Sequence, residues 1–267
     1  IPAGGAAGQA LVYSSAGNAT WSNAVGKNGT NIVLGQNTTL PAGANNNVIL
    51  TIHPSVITNG DNHIAIGSLA LYRQETGFNN IAIGSQALMY SVSNDSNTAL
   101  GVFTGQYCTG RNNILIGRAS GRNMSTGSNN IIIGEYDGLN QTPAKNITTE
   151  DYQISMGSRR VTNAYINVGW SALSDARDKT EIKEVPHGLD FVKQLSPVSY
   201  KLRESRENAT PTGDEHYGFL AQDILAIEGE NSVVVDSKDS EHLFYKDHNM
   251  TAVLVKAIKE LTLKVEE

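Results

Sequence analysis

The fold of this chain is decided by a stretch that reads NNIAIGSQALMYSVSNDSNTALG at residues 79–101. It opens with a short run of β-branched residues that ends in glycine, and Asn97–Gly101 repeats that pattern in shorter form. Because side chains alternate along a strand, Ile81 and Ile83 point to one face and Ala82 points to the other. The stretch therefore predicts a repeated unit of strand and turn.

Copies of this unit extend in both directions along the chain. The clear copies close with glycines that are 17, 17, 16 and 17 residues apart, and weaker copies lie on either side. They lie at Asn31–Gly35, Asn46–Leu50, Asn62–Gly67, Asn79–Gly84, Asn97–Gly101, Asn112–Gly117, Asn129–Gly134 and Gln153–Gly157. One strand cannot bury its apolar face alone, whereas stacked coils form a continuous apolar column. The asparagine before each strand can also stack in a ladder, and asparagine and glycine accept the corners with positive φ that a coil requires.

The repeat predicts an all-β rod, either a β-solenoid or an intertwined trimeric β-helix. Sixteen or seventeen residues are few for a single-chain coil with three sides. We therefore expect either a two-sided roll within one chain or a coil that three chains share, and the thinness of the apolar column favours the shared coil.

The composition changes near residue 173. Residues 1–173 hold 15 of the 46 charged residues and 22 of the 26 glycines of the 267-residue chain. The first part suits repeated turns, and the second has the composition of an ordinary compact domain. We therefore divide the chain into a linker or N-terminal cap over 1–26, a β-repeat region over 27–170 and a small α+β domain over 171–267. Because the chain starts at Ile1 without methionine, we expect it to be part of a longer protein.

Charge and cysteine content exclude several classes of protein. The net charge of −6 and the absence of a basic stripe argue against nucleic acid as a partner. The single cysteine, Cys108, rules out a disulfide scaffold. No apolar run approaches the roughly 18 residues of a membrane span, so no membrane insertion is expected. The six histidines show no close ligand spacing, and we expect no metal site and no cofactor.

The last 90 or so residues read as a mixture of helices and strands. The spacing of apolar residues predicts a helix over 188–195 that Pro197 ends. Strands are predicted over Val198–Leu202 and His216–Leu220, and a third over Val233–Val235. Between the first two, residues 203–213 read as a polar loop.

The chain closes with a predicted helix over 250–267. Its apolar residues step by 3, 4, 3 and 4, which is the coiled-coil period; they are Thr251, Leu254, Ile258, Leu261 and Val265. The same spacing suits an amphipathic helix that lies on its own domain, and two heptads do not separate the two interpretations.

Four motifs in this region occur in a familiar order. They are Leu173–Lys179, Gly188–Tyr200, His216–Asp223, and Tyr245 followed by Ala252–Leu261. Together they resemble the intramolecular chaperone of endosialidase, the peptidase S74 family. The resemblance implies a C-terminal domain that assembles phage tail fibres and tailspikes into homotrimers and then cuts itself off.

The resemblance also implies a catalytic pair. In that family a serine and a lysine five positions later cleave the peptide bond just before the serine, which places the cut here between Leu173 and Ser174, with Lys179 as the base. A serine hydroxyl needs a base, and a lysine serves only when its amine is neutral. Two nearby aspartates would oppose the neutral amine unless they point away or Arg177 neutralises them. Without the motif, this pair would read as part of a solvated loop.

Three further residues match the motif around the second predicted strand. Gly218 and Gln222 could shape the site or donate to the oxyanion, and His216 could orient a reacting group. Gly218 and Gln222 equally suit a strand-to-helix turn with a capping amide, and a histidine at a strand edge is more often polar surface.

The function that these observations favour is a homotrimeric distal tail fibre or appendage of a bacteriophage, with a self-removing assembly domain. Its fibre part would adhere to a receptor on the host surface, either a glycan or an outer-surface protein, and it would reside in the virion after synthesis in the host cytoplasm. Gly4–Leu11 with Trp21 is similar to a linker motif of phage receptor-binding proteins, and the repeats are similar in style to tail fibres and trimeric adhesin heads.

Two alternatives remain. A tailspike would degrade a capsular glycan with two carboxylates, for which Glu135 and Asp137 are the candidates, although a loop pair suits them better. A trimeric adhesin could carry the same chaperone. Several side chains could contact saccharide on the repeat surface: Tyr72, Arg73, Tyr90, Tyr107 and Tyr136.

Overall fold

The computed structural model describes most of the chain and divides it into two compact units, Ile1–Val161 and Thr162–Glu267. The described residues are 10–13, 19–22, 32–34, 46–50, 60–135, 145–158, 161, 163–204, 206–229 and 232–266. The predicted boundaries at 26/27 and 170/171 stay predictions.

The first unit is a β-solenoid of about five turns. It is preceded by an antiparallel hairpin of β1 (Ala10–Tyr13) and β2 (Ala19–Ser22). Eight three-residue strands then form one parallel sheet in sequence order. They are β3 (Ile32–Leu34), β4 (Val48–Leu50), β5 (Ile64–Ile66), β6 (Ile81–Ile83), β7 (Thr98–Leu100), β8 (Ile114–Ile116), β9 (Ile131–Ile133) and β10 (Ile154–Met156). Every repeat read from the sequence is confirmed as one strand of this sheet.

The described coils are wound within one chain. Strand β6 pairs with β5 on one side and β7 on the other, and all three come from consecutive repeats. On the return side of the coil, Leu71 N–H donates to Ala87 O and Leu88 N–H donates to Thr104 O. Both sides are thus bonded from coil to coil. The two-sided roll is therefore the correct alternative, and the coil shared by three chains that we favoured is wrong for these coils.

An apolar column runs inside the solenoid, as the repeats predict, but the paired isoleucines do not form it. From β4 to β10 the middle residue of each strand points inward, and Ala82 and Leu115 are fully buried. Leu71 and Leu88 reach the same cluster from the return side. The first and third residues of these seven strands, such as Ile83, point outward instead. Where the inward residue is small, as at Ala82, it leaves room for the large side chains of the return side.

A ladder of buried polar side chains accompanies the apolar column. Each member accepts a backbone N–H from the next coil, and the members are Asn47, His63, Asn80, Asn97, Asn113 and Asn130. Asn113 Oδ1 accepts Asn130 N–H at 2.9 Å, and Asn113 Nδ2 donates to Gly127 O at 2.9 Å. The predicted asparagine ladder is thereby confirmed. It pairs backbone groups at the coil corners that would otherwise be buried without partners.

From β5 to β9, the glycine that closes each strand is required by its conformation and by its neighbour in the next coil. Gly84 has φ +134° and Gly117 has φ +119°. A Cβ on Gly84 would overlap the carbonyl oxygen of Gly101 in the next coil. The glycine spacing of the sequence is therefore a direct consequence of coil stacking.

His63 takes an asparagine's place in the buried ladder. Its Nδ1 accepts Asn80 N–H at 3.3 Å, and its Nε2 lies 3.0 Å from Gly77 O. The neutral ring with its proton on Nε2 satisfies both bonds, whereas an imidazolium would place a donor against the Asn80 N–H. Burial lowers the pKa of His63 from its ordinary value of 6.5, against weaker opposing contributions from hydrogen bonds and from Asp61 and Asp95.

Acid should therefore weaken the solenoid through His63. Since the folded pKa lies below the unfolded value, the stabilisation is fully present above pH 6.5 and is lost as pH falls through the folded pKa. We expect His63→Asn, which restores the residue found at the other ladder positions, to flatten the decline in unfolding free energy between about pH 7.5 and 5. Urea titrations at several pH values test this, with His248→Asn at an exposed histidine as the control. Equal slopes for His63→Asn and the wild type would contradict it.

The second unit is a small α+β fold with a long C-terminal helix. Its elements are α1 (Leu189–Val192), β11 (Val198–Arg203), β12 (Pro211–Gly218), α2 (Ala221–Glu228), β13 (Val235–Asp236), β14 (Phe244–Tyr245) and α3 (Asp247–Glu266). Its core joins residues of α1, α2, α3 and β13 with the residue just before β13, and these are Phe191, Ile224, Val234, Val235, Met250 and Val253.

Several sequence-based boundaries in this unit differ from those of the structure. Helix α1 is one turn long rather than eight residues. Strand β12 begins at Pro211, inside the predicted polar loop, because the hairpin pairing of Arg203 with Pro211 extends the ladder toward the turn. Strand β13 covers Val235–Asp236 rather than the whole valine run.

Helix α3 packs on its own unit through a different stripe from the one predicted. Met250, Val253 and Ala257 are its buried residues, and α3 contacts α1. The predicted stripe stays exposed: Ile258 is 63% exposed and Val265 is 78% exposed. The helix therefore has two apolar stripes, of which one is covered within the chain.

Candidate functional site

The predicted serine and lysine are brought together by a short turn. Residues Ala176–Asp178 form one turn of 3-10 helix, which Asp175 caps by accepting Arg177 N–H. The turn closes where Lys179 N–H donates to Ala176 O at 3.2 Å. As a result, Lys179 Nζ lies 2.7 Å from Ser174 Oγ. At this separation a neutral amine can accept the hydroxyl proton directly.

An ion pair beside this turn neutralises one of the two aspartates. Arg177 Nη2 lies 2.6 Å from Asp175 Oδ2, and Arg177 Nε also donates to the same carboxylate. Hydrogen bonds from the Arg177 side chain, and then from its backbone, hold the pKa of Asp175 below its ordinary value of 3.8. Of the alternatives considered from sequence, neutralisation by Arg177 is the one that applies to Asp175.

The pair and the bond before it are open to solvent. Ser174 and Lys179 are both exposed, and Leu173 is 81% exposed. The preceding segment also exposes large apolar side chains, with Trp170 79% and Tyr165 92% exposed. Within the described part of the chain the side chain of Lys179 stays open to water, whereas burial is what favours the neutral form of a lysine.

The three predicted supporting residues lie on other elements. His216 pairs with Tyr200 across the β11–β12 hairpin, with ring centroids 5.6 Å apart. A Cβ at Gly218 would lie 3.2 Å from a ring carbon of Tyr200, so this glycine allows a close approach of that ring. Gln222 is an exposed residue in the first turn of α2. Among the described contacts, neither Ser174 nor Lys179 bonds to any of these three, and their supporting role stays a prediction.

No pattern in the sequence indicated the role of Glu228. This buried carboxylate at the end of α2 accepts the backbone N–H groups of Val233 and Val234 on Oε1 and that of Val235 on Oε2. It thereby ties α2 to β13 in the core of the unit. The signal available in the sequence was only an acidic residue before a glycine and an apolar run, which is too common to single out.

Only one of the two candidate carboxylates for glycan cleavage lies among the described residues. Glu135 forms an ion pair with Arg118, with Nε and Oε1 2.7 Å apart. Asp137 and Tyr136 lie outside the described residues. Within the described ranges, no group of three His, Cys, Asp or Glu side chains could hold a metal ion. The helices described here include none that is both long and apolar enough to cross a membrane.

Three of the five predicted saccharide-contacting residues form a column along the solenoid. The rings of Tyr90 and Tyr107 stack with their centroids 5.2 Å apart and their planes within 5°. The guanidinium of Arg73, on the preceding coil, lies 5.5 Å from the ring centroid of Tyr90. Tyr107 is 47% exposed. These three side chains take equivalent places in consecutive coils, so the solenoid repeat aligns them.

Together these features define a chain made of a β-solenoid and a separate α+β unit that carries a serine–lysine pair. Residues 174–233 match the family model of the chaperone of endosialidase, Peptidase_S74. This segment is therefore a chaperone-of-endosialidase domain, and the match begins at Ser174. The family implies autocatalytic peptidase activity in general terms. Neither the curated proteins nor the solved structures gave a match to the chain.

Proposed function

We propose that this protein is a homotrimeric fibre of the phage tail fibre or tailspike type, whose C-terminal domain assembles it and then removes itself by cleavage between Leu173 and Ser174. The observation that carries the proposal is the 2.7 Å approach of Lys179 Nζ to Ser174 Oγ at the start of the segment that matches the chaperone family. A β-solenoid next to such a domain fits a fibre of this type.

The geometry supports an internal attack. Ser174 directly follows the scissile bond, so its Oγ can reach the carbonyl carbon of Leu173 through a five-membered ring. Lys179 as a neutral amine would take the hydroxyl proton while the Oγ–C bond forms. The C–N bond then breaks, the amine of Ser174 takes a proton, and an ester joins the two parts. Water hydrolyses that ester and leaves a carboxylate on Leu173.

Assembly before cleavage follows from the exposure of the pair. The amine of Lys179 needs a drier environment than one chain provides, and neighbouring chains of a trimer would supply it. The exposed stripe of α3, including Ile258 and Leu261, supports helix-to-helix packing between chains. Such a nucleus raises the local concentration of the solenoid strands, and cleavage after assembly leaves the fibre kinetically trapped.

Native mass spectrometry of the purified wild type tests the proposal. We expect assemblies of three chains and, after denaturation, two fragments that correspond to 1–173 and 174–267. The mass before denaturation reports the number of chains, and the mass after denaturation reports the cut, so the two claims are tested separately. A monomeric chain would overturn the homotrimer, and trimers of uncut chains would overturn the self-removal.

We further propose that the solenoid adheres to a glycan of a bacterial surface through the column of Arg73, Tyr90 and Tyr107. Aromatic faces and a guanidinium suit the apolar faces and hydroxyl groups of sugar rings. Because a host-binding fibre belongs to the phage particle, we also propose that the protein resides in the virion.

Binding to an array of bacterial surface polysaccharides tests the adhesive role. Tyr107→Ala should lower binding about tenfold, because an exposed aromatic contact contributes on the order of 1–1.5 kcal/mol. Phe78→Ala removes an aromatic side chain that is similarly exposed, at 45%, and should leave binding unchanged. Equal binding by both variants and the wild type would contradict the assignment of this column.

A further inference from the structure

The outer face of the parallel sheet is apolar along its whole described length. Fourteen outward positions on β4–β10 are all at least partly exposed, and thirteen of them are apolar. Ile114 is 41% exposed, Ile133 38% and Ile154 70%, and the one polar member is Thr98. We call this surface the outer ladder.

The outer ladder inverts the usual distribution of residues on a sheet. A sheet with one face in solvent normally places its large apolar residues inward and polar residues outward. Here Ala65 and Ala82 point inward, while the isoleucines on the same strands point outward. An exposed apolar surface of this extent marks an interaction site.

The register of the sheet arranges the outer ladder as two straight rows. Ile64 pairs with Ile81, and Ile66 pairs with Ile83, and the same alignment continues through β10. The rows carry no charged residue at any of the fourteen positions. A partner must therefore present an uncharged apolar surface whose ridges repeat at the spacing of parallel strands across the seven strands β4–β10.

We infer that the outer ladder is the face through which copies of this chain pack along the solenoid. Only another β-solenoid of the same repeat offers matching ridges over that length, and this chain is one. A stable interface buries about 800 Å² on each partner. Divided over the fourteen positions of the outer ladder, this is on the order of 60 Å² for each side chain. A partly exposed isoleucine side chain offers an area of that size. The inference rests on the homotrimer of the proposed function and names the surface that holds the trimer together after the C-terminal domain is released.

Chemical cross-linking of full-length variants tests the outer ladder directly. Ile116→Cys places one thiol on the outer ladder, and Thr126→Cys places one on an exposed turn of the same solenoid, while Cys108 is buried. After treatment with a short bis-maleimide, Ile116→Cys should give linked chain pairs on a denaturing gel, and Thr126→Cys should give single chains. A trimer by light scattering in which Ile116→Cys links no better than Thr126→Cys would overturn this inference and leave the homotrimer standing. A monomeric wild type would overturn both.

A charge on the outer ladder gives an independent measurement. In the variant with Ile83→Lys and Ile116→Lys, the released fragment 1–173 should fall from the mass of three chains to that of one, because two ammonium groups per chain would be buried. Thr126→Lys should keep the mass of three chains. A fragment that stays trimeric with both lysines would overturn the inference.

Discussion

Lys179→Ala should abolish the cut and leave one chain of 28.6 kDa, where the wild type gives two fragments. The expected loss is at least a thousandfold in rate, because a serine hydroxyl without its base is a weak nucleophile and the base lies 2.7 Å from it. Ser174→Ala should have the same effect, since it removes the attacking oxygen. Intact mass spectrometry over several days of incubation measures both variants.

A matched control separates catalysis from charge. Lys183→Ala removes an exposed lysine from the same segment and should cut as fast as the wild type. Arg177→Ala releases the Asp175 carboxylate from its ion pair, which would favour the ammonium form of the nearby lysine, and it should slow the cut without abolishing it. If Lys179→Ala yielded fragments at the wild-type rate, the assignment of the base would be wrong, whereas trimeric assembly would be unaffected.

Asn113→Ala should lower the free energy of unfolding of the solenoid by about 3–5 kcal/mol, since two buried groups lose their partners at about 1–3 kcal/mol each and a small void remains. The two groups are the N–H of Asn130 and the carbonyl of Gly127. The bond to Asn97 Oδ1 at 3.0 Å is lost as well.

Urea unfolding of the uncut Ser174→Ala background measures this effect on a single species. Asn123→Ala makes the same substitution at an exposed position, and its effect should stay within about 0.5 kcal/mol. A change below about 1 kcal/mol for Asn113→Ala would show that the ladder does not stabilise the coils through these bonds.

The solenoid was the more predictable of the two units because its geometry is local and repeated. A three-residue strand, a glycine that tolerates positive φ and an asparagine at the corner recur in the sequence at the spacing of one coil, as Gly84 and Asn80 illustrate. The α+β unit was less predictable. Helix α1 and strand β13 are too short for periodicity to fix their ends, and β12 begins at a proline because of its pairing with β11.

The candidate site was predictable only as a motif. The spacing of Ser174 and Lys179 contributed to the family resemblance. The segment between them can adopt an extended or a turned backbone, so the spacing alone does not set the distance between the two side chains. The approach of the two side chains depends on the 3-10 turn that Asp175 caps. The buried acceptor Glu228 followed from no local pattern, because its three donors belong to residues that reach it only when the chain has folded.

The sequence by itself determined the repeat, the strand and glycine positions, the asparagine ladder and the family of residues 174–233. Tertiary structure alone decided that each described coil closes on its own chain and that Ala82, rather than Ile81 and Ile83, faces the core. The physical reason is that alternation assigns residues to two faces without saying which face is inside. In this coil the return side, with Leu71 and Leu88, already supplies large side chains, so the space left under the strand fits alanine and the isoleucines turn outward.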